Sequence, residues 1–141
     1  MANLVYNRFL YNLMIGNIDL STASIYCALL TSSYTPDKDH NVWSDVSGNE
    51  VVGVGYTSGG KALSGKSVSQ DDSNDKGIFL ADNLVWTDAS FTARYAVLYN
   101  VTDPSELICL IDFGSNKVSN NQDFNIIWDT ESIFTAALVE E

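Results

Sequence analysis

From Phe91 to Asn100 the sequence FTARYAVLYN places Phe91, Ala93, Tyr95, Val97 and Tyr99 at every second position, with Thr92, Arg94, Ala96 and Leu98 between them. A period of two is that of a strand with one set of side chains on each face, and a helix would scatter these residues around its axis. A turn follows at Val101–Ser105, containing Asp103-Pro104, and Glu106–Phe113 (ELICLIDF) then runs apolar again. Two strand-like runs across a short polar turn predict an antiparallel hairpin, and the rest of the fold must be built around it.

Other segments extend the same pattern. Ser24–Tyr34 (SIYCALLTSSY) is a continuous apolar run closed by Pro36, and it reads as a strand buried on both faces with Cys27 inside it. Asp37–Asn49 is a long polar loop around Trp43, Val51–Gly60 is glycine-punctuated and expected to be extended, and Lys61–Gln70 reads as one short strand. Asp71–Gly77 is a turn, followed by strands at Ile78–Ala81 and Leu84–Trp86. A second polar turn is expected at Gly114–Asn121, then strands at Phe124–Trp128 and Ile133–Val139.

Composition agrees with a loop-rich β protein. The 18 acidic residues are 13 Asp and 5 Glu, beside 13 Asn and 16 Ser, so the charge lies in side chains that favour turns and caps. At 141 residues a single domain is expected. The hydrophobic fraction of 45% and the 16 aromatic residues exclude a disordered acidic tail.

The net charge of −11, with only Arg8 and Arg94 carrying guanidinium groups, argues against binding to nucleic acid or to an anionic membrane. No apolar run approaches the ~20 residues of a membrane span. Cys27 and Cys109 do not make a disulfide framework.

Near the N-terminus the period changes. Val5/Tyr6, Phe9/Leu10 and Leu13/Met14 recur every four residues between Leu4 and Ile15, which predicts an amphipathic helix with Asn3 as its N-cap and Gly16-Asn17 as its stop. The start of the chain has no basic leader and carries Asn3, Asn7 and Asn12, unlike a secretory signal. The expected fold is mainly β: a single antiparallel β-sandwich or barrel-like domain (21–141) with a short N-terminal α-helical arm (1–20).

Several motifs suggest chemistry without the setting that chemistry needs. Gly60–Ser67 (GKALSGKS) matches the phosphate-loop pattern, and Leu107–Asp112 (LICLID) resembles the strand whose Asp holds Mg²⁺ in such enzymes. A phosphate loop needs an apolar strand before it and a helix after it, and neither Val51–Gly59 nor Val68–Asp72 supplies them. Asp71, Ser73, Asp75 and Asp82 have the spacing of a calcium loop, but Lys76 stands where the sharp turn requires Gly. The single histidine, His40, lies near Asp37, Asp39 and Asp45, and a structural role is expected for it. Trp86 and Trp128 sit in strand patterns and are expected in the core, whereas Trp43, in a polar loop, is open to a contact with sugar or with another subunit. No catalytic, cofactor-binding or metal-ligating residue is assigned.

The runs Ala28–Asp37 (ALLTSSYTPD), Trp43–Val46 (WSDV), Asn49–Val51, Gly55–Gly60 (GYTSGG), Phe91–Val97 (FTARYAV) and Ile111–Gly114 (IDFG) resemble, in this order, small structural proteins of tailed bacteriophages. The resemblance spans roughly Ser24 to Phe134. It implies a virion component without enzymatic activity, made in the host bacterial cytoplasm. Such a protein cements or decorates the capsid, in contact with the major capsid protein and with copies of itself, a trimer being the natural ring. A neck, tail or fibre-base adaptor is the alternative within the virion, and a carbohydrate-binding module the alternative outside it. Tyr6, Phe9, Leu10, Leu13, Met14 and Trp43 are the expected interface residues.

Overall fold

The computed structural model describes residues 3–129 and 132–136. The central strand of its larger sheet is β6, Leu84–Asn100, whose Tyr95–Asn100 stretch pairs antiparallel with β2, Ile25–Leu30. β6 pairs along almost its whole length with β7, Leu107–Ile126, and the Val101–Glu106 turn joins the two as the expected hairpin. The two-residue strands β1, Leu4–Val5, and β3, Lys61–Ala62, complete a five-stranded sheet in the order β1-β7-β6-β2-β3. A second, three-stranded sheet has the order β4-β5-β8, formed by Ser67–Asp71, Lys76–Leu80 and Phe134–Ala136. Both sheets are antiparallel and neither closes on itself, so the fold is sandwich-like and mainly β, with one short helix α1, Asn7–Met14.

β2 explains why its sequence carries no polar alternation. Ile25, Cys27 and Leu29 face one apolar cluster, with Phe9, Phe79, Trp86, Leu98 and Phe124. Ala28 and Leu30 face another, with Tyr34, Val46, Tyr95, Val97 and Leu110. Both faces are covered, as the continuous apolar run predicts.

The alternation of Phe91–Asn100 is not one face throughout. Phe91 and Ala93 lie in the first cluster together with Ala96 and Leu98, while Tyr95, Val97 and Tyr99 lie in the second. A register shift between Ala93 and Tyr95 marks the reversal: Arg94 on β6 stands opposite four residues of β7, 113–116, and across this bulge in the pairing the phase of the β6 side chains changes. Arg94 there donates from Nε to Asp112 Oδ1 at 2.8 Å and from Nη2 to Oδ2 at 3.3 Å, bracing the bulge against β7.

Gly114–Asn121 is not a turn. It continues β7, with Lys117, Val118 and Ser119 paired to Ala93, Thr92 and Phe91. Its polar residues are mostly exposed, and cross-strand pairing with β6 overrides their turn preference. The expected strands Leu84–Trp86 and Phe124–Trp128 are therefore the far ends of β6 and β7, with β7 ending at Ile126. Lys61–Gln70 divides into β3 and β4, which belong to different sheets. Val51–Gly60 is irregular, touching β6 through an isolated Val54–Ser90 bridge. Gly60 passes so close to β2 that a Cβ would lie 2.0 Å from the Cys27 carbonyl oxygen, and its φ of +86° is a glycine conformation. Of the expected strand Ile133–Val139, residues 137–139 lie outside the described residues.

Helix α1 begins later than its apolar pattern suggests because Leu4 and Val5 pair with Leu110 and Cys109 as a strand. Tyr6 is the N-cap residue and makes no side-chain capping bond. Asn3 is not the cap: its Oδ1 accepts the backbone N–H of Asp112 at 2.9 Å, anchoring the chain start to β7. Gly16, at φ +71°, does end the helix as expected.

Candidate functional site

The apolar pairs along α1 separate onto two sides. Tyr6 and Phe9 are buried in the domain's own core and Leu13 packs half-buried against it, so Tyr6 and Phe9 cannot present an external surface. The other members face outward. Met14 is 84% exposed, and Leu10, Tyr11 and Ile15 are 43% to 57% exposed. Positions 10, 11, 14 and 15 form one stripe down the outer side of the helix, so α1 is apolar on both sides. A helix that only covered its own core would carry polar residues there.

Charge sets this stripe apart from the rest of the molecule. The first 18 residues contain no Asp or Glu, although the chain carries 18 acidic groups, and their one charged side chain is Arg8. The Arg8 guanidinium lies 5.1 Å from the centre of the Tyr11 ring, and its Nε donates to Glu106 Oε2. Asn12, buried on the inner side, donates to the same oxygen at 2.8 Å and accepts from Asn17 Nδ2 at 3.2 Å. The outer face is therefore held to the β6–β7 turn by an ion pair with a nearly buried carboxylate. Sequence reasoning singled out Leu10 and Met14 but missed Tyr11, Ile15 and Glu106. The i, i+4 spacing and the acid-free stretch were the available signals for Tyr11 and Ile15; Glu106 joins the group only by folding.

Trp43, the remaining expected interface residue, opens a 3₁₀ turn (Trp43–Asp45) and is half-buried. Its ring stacks on Tyr99, with centroids 4.5 Å apart and planes 11° apart, so one indole face is already covered. The carboxylate of Asp45 accepts the backbone N–H groups of Asn41 and Val42, which hold it below the usual carboxylate range.

His40 is joined to the core by a chain of hydrogen bonds. Its Nδ1 lies 2.8 Å from the Tyr34 hydroxyl, which lies 3.0 Å from the Tyr6 hydroxyl. Burial, then the bond to Tyr34, pushes the Tyr6 phenol far above its ordinary value, so it stays protonated. The chain fastens the Asp37–Asn49 loop to the domain, the structural role expected of His40.

The motifs set aside from the sequence have no catalytic geometry here. Gly60–Ser67 bends from β3 into β4 and no helix follows it. Asp71 accepts from the backbone of Ser73 and from the backbone and side chain of Asn74, closing a hairpin turn. Asp82 lies elsewhere, against Gly65 and Ser64. Among the described residues no three His, Cys, Asp or Glu side chains converge as a metal site. Cys27 and Cys109 are buried thiols in register on either side of Leu98, two strand spacings apart, beyond disulfide reach. No described helix is long and apolar enough to cross a membrane. Comparison with protein-family models, with curated proteins and with solved structures gives no match.

Proposed function

We propose that this protein is a non-enzymatic structural component of a tailed-bacteriophage virion, a capsid cement or decoration protein that docks through the outer side of α1. The observation that carries the docking part is the exposed stripe of Leu10, Tyr11, Met14 and Ile15, free of acidic residues in a chain of net charge −11. Apolar side chains that remain in water on a helix already rooted in its own core gain only when a second surface covers them. The acid-free stretch lets that surface approach without like-charge repulsion. The phage assignment comes from the sequence runs between Ala28 and Gly114.

In this reading the major capsid protein offers the complementary surface, and copies of the chain close a ring of three around a local threefold axis. Binding stabilises the shell by mass action, because the docking surface is complete only in the assembled lattice. The test is electron microscopy of purified particles that contain the chain, with copies counted. Hundreds of copies on the head surface support the cement role. About a dozen at one vertex would move the protein to a neck or tail adaptor, and absence from the particle would refute the virion reading. The folded double variant Leu10→Glu/Met14→Glu should be lost from the heads.

A further inference from the structure

The stripe that α1 leaves in water is complementary to itself. Leu10 and Tyr11 lie one turn before Met14 and Ile15, and the four are 43% to 84% exposed. Two such stripes laid antiparallel about a common midpoint bring Leu10 of one copy onto Ile15 of the other, and Tyr11 onto Met14. A two-fold axis repeats both contacts. The second contact sets a thioether against an aromatic ring, which is favourable beyond the area it covers.

The charges of α1 fit the same alignment. Its first turn has no acidic residue and its last turn no basic one, so the macrodipole is uncompensated at both ends. The carbonyls of Met14 and Ile15, at the negative end, accept no hydrogen bond among the described residues. Arg8, in the first turn, spends Nε on Glu106, and its two terminal amino groups meet no acceptor among the described residues. Antiparallel alignment carries Arg8 to the C-terminal end of the second helix, beside those carbonyls, twice in each pair. The acids around α1 are occupied within the copy: Glu106 by Arg8 and Asn12, Asp39 by Asn7, and Asp19 by Ser21. At 0.15 M salt the Debye length is about 8 Å, so most of the net charge of −11 on each copy is screened from the contact.

The contact is small. Four side chains of roughly 100–200 Å² each, half or more exposed, together with Arg8 and the helix rim bring the area buried in the pair to on the order of 800–1,000 Å². That is below the ~1,200 Å² at which stable interfaces begin and within the range of transient ones.

We propose that in free solution α1 pairs antiparallel with α1 of a second copy, forming a weak dimer that covers the docking face until the shell displaces it. The pairing stands on the geometry of α1, and its consequence for docking rests on the function proposed above. A dissociation constant on the order of 0.1 mM is expected for a contact of this size. Above that concentration free protein keeps its stripe covered, and docking competes with the pair by mass action.

The test is sedimentation equilibrium of the full chain, from roughly a twentieth of that constant to about ten times it. Wild type should fit a monomer–dimer equilibrium. Leu10→Glu and Ile15→Lys each set a charge against an apolar side chain in both symmetry-related contacts, and each should weaken self-association at least about tenfold. Both positions are exposed, and thermal melting at dilute concentration checks that the variants are folded. Mixed in equal amounts, the two variants should form a heterodimer at least about fivefold tighter than either homodimer. One contact then joins the two introduced charges of opposite sign, and the other keeps Leu10 on Ile15. Wild type that stays monomeric or grows beyond a dimer, self-association unchanged in either folded variant, or variants that do not pair with each other would each overturn the proposal. The virion reading fails by a different result, absence of the chain from purified particles, which leaves the sedimentation outcome as it is.

Discussion

Helix α1 makes a quantitative prediction because its two sides have opposite fates. Phe9 is 2% exposed and packs in the larger core cluster, so Phe9→Ala removes a buried ring from a site walled by the domain itself. The cost of such a change is about 3–5 kcal/mol, the transfer of the ring plus the cavity left behind. Met14 lies five residues on and has most of its surface in water, so Met14→Ala removes almost no burial and introduces a better helix former; its effect should stay within about 0.5 kcal/mol.

For 141 residues the entropy of unfolding is ~0.3 kcal/mol/K, so Phe9→Ala should lower Tm by roughly 10–17 °C and Met14→Ala by no more than about 2 °C. The assay is urea unfolding followed by tryptophan fluorescence, repeated over a range of protein concentrations, with the urea dependence checked for constancy between variants. A loss above about 1.5 kcal/mol for Met14→Ala at low concentration would show that its side is packed within the monomer, and the docking face would then not exist. A loss below about 1 kcal/mol for Phe9→Ala would show that α1 is not rooted in the core.

Three further outcomes are expected. Gly60→Ala should cost at least about 3 kcal/mol, because the new Cβ meets the Cys27 carbonyl at a left-handed φ; a near-wild-type melting curve would contradict the close approach of Gly60 to β2. Asp112→Ala should cost about 2 kcal/mol by stranding the partly buried Arg94, and Arg94→Met in the same chain should recover part of it; purely additive losses in the double-mutant cycle would deny the coupling. At alkaline pH the buried acids decide stability: burial, the largest cause, pushes Tyr99 up to about 12 from an ordinary 10.0 and the Cys109 thiol up to about 12 from 9.0. Between the ordinary and raised values the unfolded chain holds fewer protons than the folded one, so stability is full below about pH 9 and falls as pH rises toward 12. Urea midpoints at pH 7, 9 and 11 check this, and a midpoint that does not fall by pH 11 would refute it.

Much of the β framework was legible from local chemistry. The continuous apolar run of Ile25–Leu30 could only be a strand covered on both faces, and the turn before Glu106–Phe113 could only return the chain antiparallel. Gly16 ends α1 because left-handed backbone favours glycine wherever the helix packs. These features depend on neighbours in sequence, and the sequence states its neighbours.

What tertiary structure decided depends on partners far along the chain. The register shift at Arg94, opposite surplus residues of β7, reverses the faces of β6, yet nothing in an unbroken alternation marks where it falls, because its cause is the pairing with β7. Gly114–Asn121 has turn composition and is nevertheless strand, since Phe91–Ala93 pair with it and only the fold brings them together. Asn3 suits a helix cap but bonds to Asp112, more than a hundred residues away. The apolar pattern of α1 located the helix, but only the direction of the sheet decided that Phe9 is core while Leu10 and Met14 remain in water. Glu106, the turn residue that Arg8 and Asn12 reach across the fold, acquires its role the same way. Local propensity sets what a segment can form; which of its faces is buried, and against what, is set by the surfaces folding brings to it.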